Sequence, residues 1–167
     1  MFQTGDYVVK IGDGLCRIVD VTDMAFGNKV NTYYQLEAVS GHGAKIYVPA
    51  DKADDRMRQA MTREDALKLI QEIPGLEPIS VVNEKLREQQ YQDALQSCDP
   101  RQLAQMIITM YLRKQKRFTE GKKSISMDDR YFKTAEDCLY SELAHALEED
   151  RDAVLRRIEA AAKSAGR

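Results

Sequence analysis

The chain has 167 residues, of which 25 are basic and 27 acidic, and 43% are hydrophobic. This is the balance of a soluble globular protein with one domain or two small ones, and no apolar run approaches the roughly 20 residues needed to span a bilayer. The start Met1-Phe2-Gln3-Thr4-Gly5-Asp6 has neither the basic lead nor the apolar stretch of a leader, and Cys16, Cys98 and Cys138 are too few and too scattered for a disulfide framework or a zinc knuckle. An intracellular, reducing setting is expected, with all three cysteines as small packing residues.

Residues 1 to about 50 are patterned as strands. Tyr7-Val8-Val9-Lys10 is followed by the turn Gly12-Asp13-Gly14 and by Leu15-Cys16-Arg17-Ile18-Val19-Asp20-Val21, in which apolar and polar residues roughly alternate. Gly27-Asn28 suits a second turn, ahead of the β-rich Thr32-Tyr33-Tyr34-Gln35-Leu36-Glu37-Ala38-Val39. Gly41-His42-Gly43 then turns the chain into Lys45-Ile46-Tyr47-Val48-Pro49, with Pro49 at a strand end or on an edge. Four or five short strands joined by tight turns are expected to close into a small twisted barrel or a curled sheet.

Beyond residue 60 the period becomes helical. Thr62, with Asp65 at capping-box distance, starts a helix to about Glu72, which Pro74-Gly75 stops. A second helix is expected from near Ser80 to Ser97, its apolar positions Val82, Leu86 and Leu95 being sparse. Asp99-Pro100 caps a third, striped by Leu103, Met106, Ile107, Met110 and Tyr111. Ser126 with Asp129 begins a fourth, with Phe132, Ala135, Leu139, Leu143 and Ala146 on its apolar face. Asp150 or Asp152 begins a fifth, carrying Val154, Leu155, Ile158 and Ala161. Strands followed by helices define an α+β chain with a helical second half. The boundary falls between Asp51 and Met61, where charged residues crowd together.

Catalytic patterns are sparse. His42 lies between two glycines and His145 among helical residues, neither with partners at metal-ligand spacing. Gly12-Asp13-Gly14 lacks the further glycines and the strand-to-helix setting of a phosphate loop, and adjacent acids such as Asp54-Asp55, Asp128-Asp129 and Glu148-Glu149 point in different directions on a helix. Nothing points to an enzyme, and no cofactor is expected. Met106 and Met110 share a face with Leu103 and Ile107 and so belong to the core, while Tyr33, Tyr34 and Tyr47 suit either half-buried strand positions or stacking on bases or a partner protein.

The strongest local signal is charge. Arg113, Lys114, Lys116, Arg117, Lys122 and Lys123 place six cations against the single acid Glu120 within residues 113–123. Such a run serves either as the solvated last turn of a helix, where cations suit the dipole, or as a surface for phosphates. Charge alone does not separate DNA from RNA and supplies no base reading.

The order of Gly5-Asp6-Tyr7-Val8-Val9, Tyr33-Tyr34-Gln35-Leu36, Ile46-Tyr47-Val48-Pro49, Lys123-Ser124-Ile125-Ser126 and the stretch from Ala135 to Ala144 resembles the CarD family of bacterial transcription regulators over nearly the whole chain. The resemblance implies a Tudor-like or SH3-like β-barrel over residues 1–55 that binds the RNA polymerase β subunit. It implies a helical domain of about five helices over residues 56–167 that contacts promoter DNA and acts on open-complex formation or stability. The setting it implies is a bacterial cytoplasm, with polymerase at the nucleoid.

Carried onto this chain, the polymerase-contact residues are Met24, Lys45, Ile46, Tyr47 and Val48. The DNA-contact residues are the six cations of the basic run together with Lys85 and Arg87. Many relatives carry a tryptophan wedge after an asparagine at the start of the second helix of the helical half; here Asn83 is followed by Glu84. Family arginines align roughly with Met24 and Tyr47, so the polymerase surface is also altered. The rival expectation is a protein-interaction adaptor whose helical half binds protein and not DNA, which the carboxylate of Glu84 favours. The sequence leaves open the direction of regulation and the oligomeric state.

Overall fold

The computed structural model describes residues 2–39 and 44–164, so the expected turn at Gly41-His42-Gly43 lies outside the described residues. The chain divides into two compact units, residues 1–60 and 61–167.

The first unit is a five-stranded antiparallel sheet of β1 (Tyr7–Lys10), β2 (Gly14–Phe26), β3 (Lys29–Ala38), β4 (Lys45–Pro49) and β5 (Met57–Gln59), in the order β4-β3-β2-β1-β5. The tight turn between β1 and β2 needs Gly12 at φ +88° and Gly14 at φ +74°, backbone angles that a side chain would strain. A register shift between Ile18 and Asp20 marks a bulge in β2. Such a bulge bends and twists the long β2-β3 hairpin. Beyond the stretch paired with β4 and β1, this hairpin continues alone to the Phe26–Lys29 pair.

The expected closed barrel is corrected to an open sheet. Among the described residues β4 pairs only with β3 and β5 only with β1, so the two edges stay apart. A 3-10 turn at Ala50–Lys52 and a one-turn helix α1 (Ala53–Arg56) lead the chain from one edge to the other. Val8, Cys16, Ile18, Tyr34, Leu36 and Val48, together with Ala53 and Met57, form the core of this unit. Burial pushes the Cys16 thiol up to about 11, which suits an unreactive packing role.

The second unit contains α2 (Arg63–Glu72), α3 (Arg87–Ser97), α4 (Pro100–Thr119), α5 (Ser126–Leu147) and α6 (Arg151–Ser164). With α1 the described residues thus hold six α-helices rather than about five; α1 is a single turn whose four residues are too few to show a helical period. The capping box at the start of α2 forms as its spacing predicts. Asp65 N–H donates to Thr62 Oγ1 at 3.1 Å, and Thr62 N–H to Asp65 Oδ2 at 3.3 Å.

The second helix is shorter than expected. After the 3-10 turn Ile73–Gly75 the chain is not helical from Leu76 to Asn83, and a further 3-10 turn, Glu84–Leu86, precedes α3. Pro78 disfavours helix for the residue before it, and the Thr109 hydroxyl of α4 accepts the Ile79 N–H at 2.7 Å. The hydroxyl thereby pins the extended segment to the bundle. Met106, Leu139, Leu143 and Leu147 are each at most 1% exposed and lie at the centre of the apolar core. Within it, the buried carboxylate of Glu142 accepts the Met61 N–H at 2.7 Å.

Candidate nucleic-acid interface

The basic run occupies the last turns of α4 and the connection to α5. Its six cations do not form one patch. On a helix, residues three and four apart share a face. Tyr111, Lys114, Gln115 and Phe118 therefore line up along one side, and Arg113, Lys116, Arg117 and Glu120 along another. Two separate depressions follow this division.

The first is a groove of about 1070 Å³ between the end of α4 and the start of α5, where Lys114, Lys122 and Lys123 meet Tyr111, Phe118 and Phe132. Phe118 is 81% exposed and Tyr111 is half exposed. Gly121, at φ +74°, turns the chain out of α4, and Arg117 Nε donates to the Lys123 carbonyl at 2.8 Å, holding the connection against the helix.

The second depression, of about 480 Å³, gathers Arg87, Arg113, Lys116 and Arg117 around Glu84. The Asn83 side chain caps the 3-10 turn by accepting the Lys85 N–H at 3.0 Å. That cap presents Glu84 to Arg87, whose Nε and Nη2 donate to the two carboxylate oxygens at 2.8 and 2.7 Å. Arg113 reaches the same carboxylate at 3.9 Å and Asp128 at 3.2 Å.

The hydrogen bond from Arg87 holds the Glu84 carboxyl below the usual carboxylate range. Burial pushes Asp128 above that range, although Arg113, Arg87 and a hydrogen bond from Tyr91 pull the other way. Arg87 also donates from Nη1 to the Tyr91 hydroxyl at 3.1 Å, so it is tied at both ends.

The eight expected DNA-contact residues are thus unequal. Arg87 and Arg113 are engaged inside the unit, Arg117 braces the connection, and Lys122 pairs with Glu120 at 3.4 Å. Lys85, Lys114, Lys116 and Lys123 make no side-chain hydrogen bond or ion pair among the described residues. Charge counting missed this sorting and also missed the aromatic lining of the first groove. The i, i+4, i+7 spacing of Tyr111, Gln115 and Phe118 carried that signal.

The expected polymerase-contact residues divide in a similar way. Lys45 and Tyr47 are exposed on the edge strand β4, and Ile46 is half-buried. Val48 is wholly buried, main chain included, so the structure does not present it as a contact residue. Met24 pairs with Asn31 on the projecting hairpin and is not brought beside β4, which β3 separates from β2.

Among the described residues no group of three or more His, Cys, Asp or Glu side chains is placed to hold a metal ion, and no helix is long and apolar enough to cross a membrane.

The described residues thus form an open antiparallel sheet with β4 at its edge and, in a separate unit, helices bearing two cation-lined depressions. The first of the two units matches a family model. Residues 2–61 match the family model of the CarD-like/TRCF RID domain, consistent with a CarD-like protein and supporting a transcription-related role involving RNA polymerase. The match ends where the helical unit begins, so residues 62–167 lie outside it. No curated protein matches the chain.

Proposed function

We propose that the protein is a transcription regulator that binds the RNA polymerase β subunit through its sheet unit and contacts promoter DNA through its helical unit, modulating open-complex formation or stability. The domain match over residues 2–61 carries this reading. The free edge of β4 supports it, because an unpaired strand can accept a strand from a partner, with Lys45 and Tyr47 supplying side-chain contacts. A regulator of this kind needs no catalytic group: it shifts the promoter equilibrium by binding the open complex more tightly than the closed one.

In the helical unit, Lys116 is the best-placed phosphate contact beside Glu84, being exposed and without an ion pair. Lys116→Glu is expected to weaken promoter-duplex binding several-fold and to lower the salt slope by about one, read from binding isotherms at several salt concentrations. An unchanged slope removes this face from the DNA interface. The polymerase half is tested separately, by capture of the purified β-subunit lobe.

One observation favours the adaptor reading, in which the helical half binds protein. Glu84 engages Arg87 and Arg113 and leaves less positive charge for DNA. Glu84→Gln is therefore expected to raise duplex affinity up to about fivefold, the scale of an exposed ion pair worth at most about 1 kcal/mol. A footprint with and without polymerase separates the readings, since an adaptor adds no protection of its own.

A further inference from the structure

We propose that the groove between α4 and α5 binds unpaired nucleotides, with Phe118 as a stacking platform and Lys114, Lys122 and Lys123 as phosphate contacts. The inference rests on the transcription reading above and adds a second mode of nucleic-acid contact, distinct from duplex binding on the Lys116 face.

Three observations carry it. Phe118 is 81% exposed at the end of a helix whose other large apolar residues mostly pack inward, and Tyr111 stands one face-length before it at 51%. Three lysines and no acid line the groove, Lys114 and Lys123 without an ion pair among the described residues and Lys122 within reach of Glu120 at its rim, although the chain as a whole is slightly acidic. At about 1070 Å³ the groove matches the largest clefts that hold a single small ligand; besides its rings and lysines it is lined by Gln115, Thr119 and Ser124, whose side chains are engaged by Tyr111, the Lys116 carbonyl and Asp129. Rings and point cations in one groove suit a polymer that presents a flat base and a phosphate at every step. A duplex keeps its base faces covered by stacking and can use only the lysines, so the exposed ring distinguishes single strands. An acidic peptide with apolar side chains is the competing occupant. It is less favoured because the lysines flank aromatic rings on which every base can stack whatever its sequence.

The full chain contains no tryptophan, so Phe118→Trp introduces a single indole reporter at the site. Titration with an oligothymidylate of about 12 nucleotides is expected to quench that emission and to saturate. In fluorescence anisotropy with the labelled oligonucleotide, Phe118→Ala is expected to lower affinity roughly tenfold while Phe118→Tyr retains it, the loss expected for one stacked base. The same Phe118→Ala protein should bind a duplex within about twofold of the unsubstituted chain, because no duplex base reaches the ring. Circular dichroism confirms folding, which an exposed position should not disturb.

Equal single-strand affinity for Phe118→Ala and the parent, with duplex binding intact, overturns the groove assignment and leaves the promoter reading standing. Loss of duplex and polymerase binding together, with quenching at Phe118→Trp preserved, has the opposite meaning. Saturable binding of a glutamate- and leucine-rich peptide that depends on Phe118, without oligonucleotide binding, replaces the single strand by a protein partner.

Discussion

Tyr91→Ala is expected to destabilise the helical unit by about 3–5 kcal/mol, the scale for removing a large ring from a packed core. Tyr91 is fully buried, its ring lies 5.6 Å from that of Tyr131, and its hydroxyl joins Arg87 to Asp128. Truncation therefore opens a cavity and strips two charged groups of a shared partner. Tyr91→Phe keeps the ring and isolates the second effect, which should cost about 1–3 kcal/mol. Urea unfolding of the three proteins provides the comparison. If Tyr91→Phe is as stable as the parent, the hydroxyl network contributes nothing and Arg87 is positioned by Glu84 alone.

Leu36→Ala should cost about 2–5 kcal/mol in the sheet unit. Leu36 is wholly buried on β3, paired with Ile18 on one side and Ile46 on the other, so it touches the middle of the sheet from both directions. A unit of this size buries little core, and a loss on that scale is a large share of the about 5–15 kcal/mol that holds a domain folded. Polymerase capture should fall with it, since β4 depends on β3 for its only pairing among the described residues. Thermal unfolding combined with capture of the β-subunit lobe at several temperatures checks this. Capture that persists above the unfolding transition of the sheet would show that the edge strand is not the docking element.

Much of this architecture was legible because single residues with strong local chemistry mark it. Gly12 and Gly14 set the first turn, Thr62 with Asp65 set the start of α2, and Asp99 with Pro100 set the start of α4. Elements too short to repeat a period were not legible: β5 has three residues and α1 four. The non-helical segment before α3 escaped notice for a related reason, since its anchor, Thr109, lies 30 residues from Ile79.

The candidate site shows the same limit. The basic run was evident from composition alone, but its division into two faces follows from helical geometry. The engagement of Arg113 by Glu84 and Asp128 joins residues far apart in the chain. Glu84 was evident in the sequence as a carboxylate; its neighbours, Arg87 and Arg113, were not foreseen as its partners.

Glu84 has a consequence for thermodynamics that reaches beyond its contacts. By sitting on Arg87 and against Arg113 it acts as a built-in counterion, covalently fixed where mobile salt ions would otherwise gather. DNA affinity gains entropy from the mobile ions that binding sets loose. An arginine already neutralised by its own chain has fewer such ions to release, so a duplex on this face must displace a carboxylate instead. On this face Lys116 would be free to take part in ion release, whereas the two arginines would exchange one fixed anion for another.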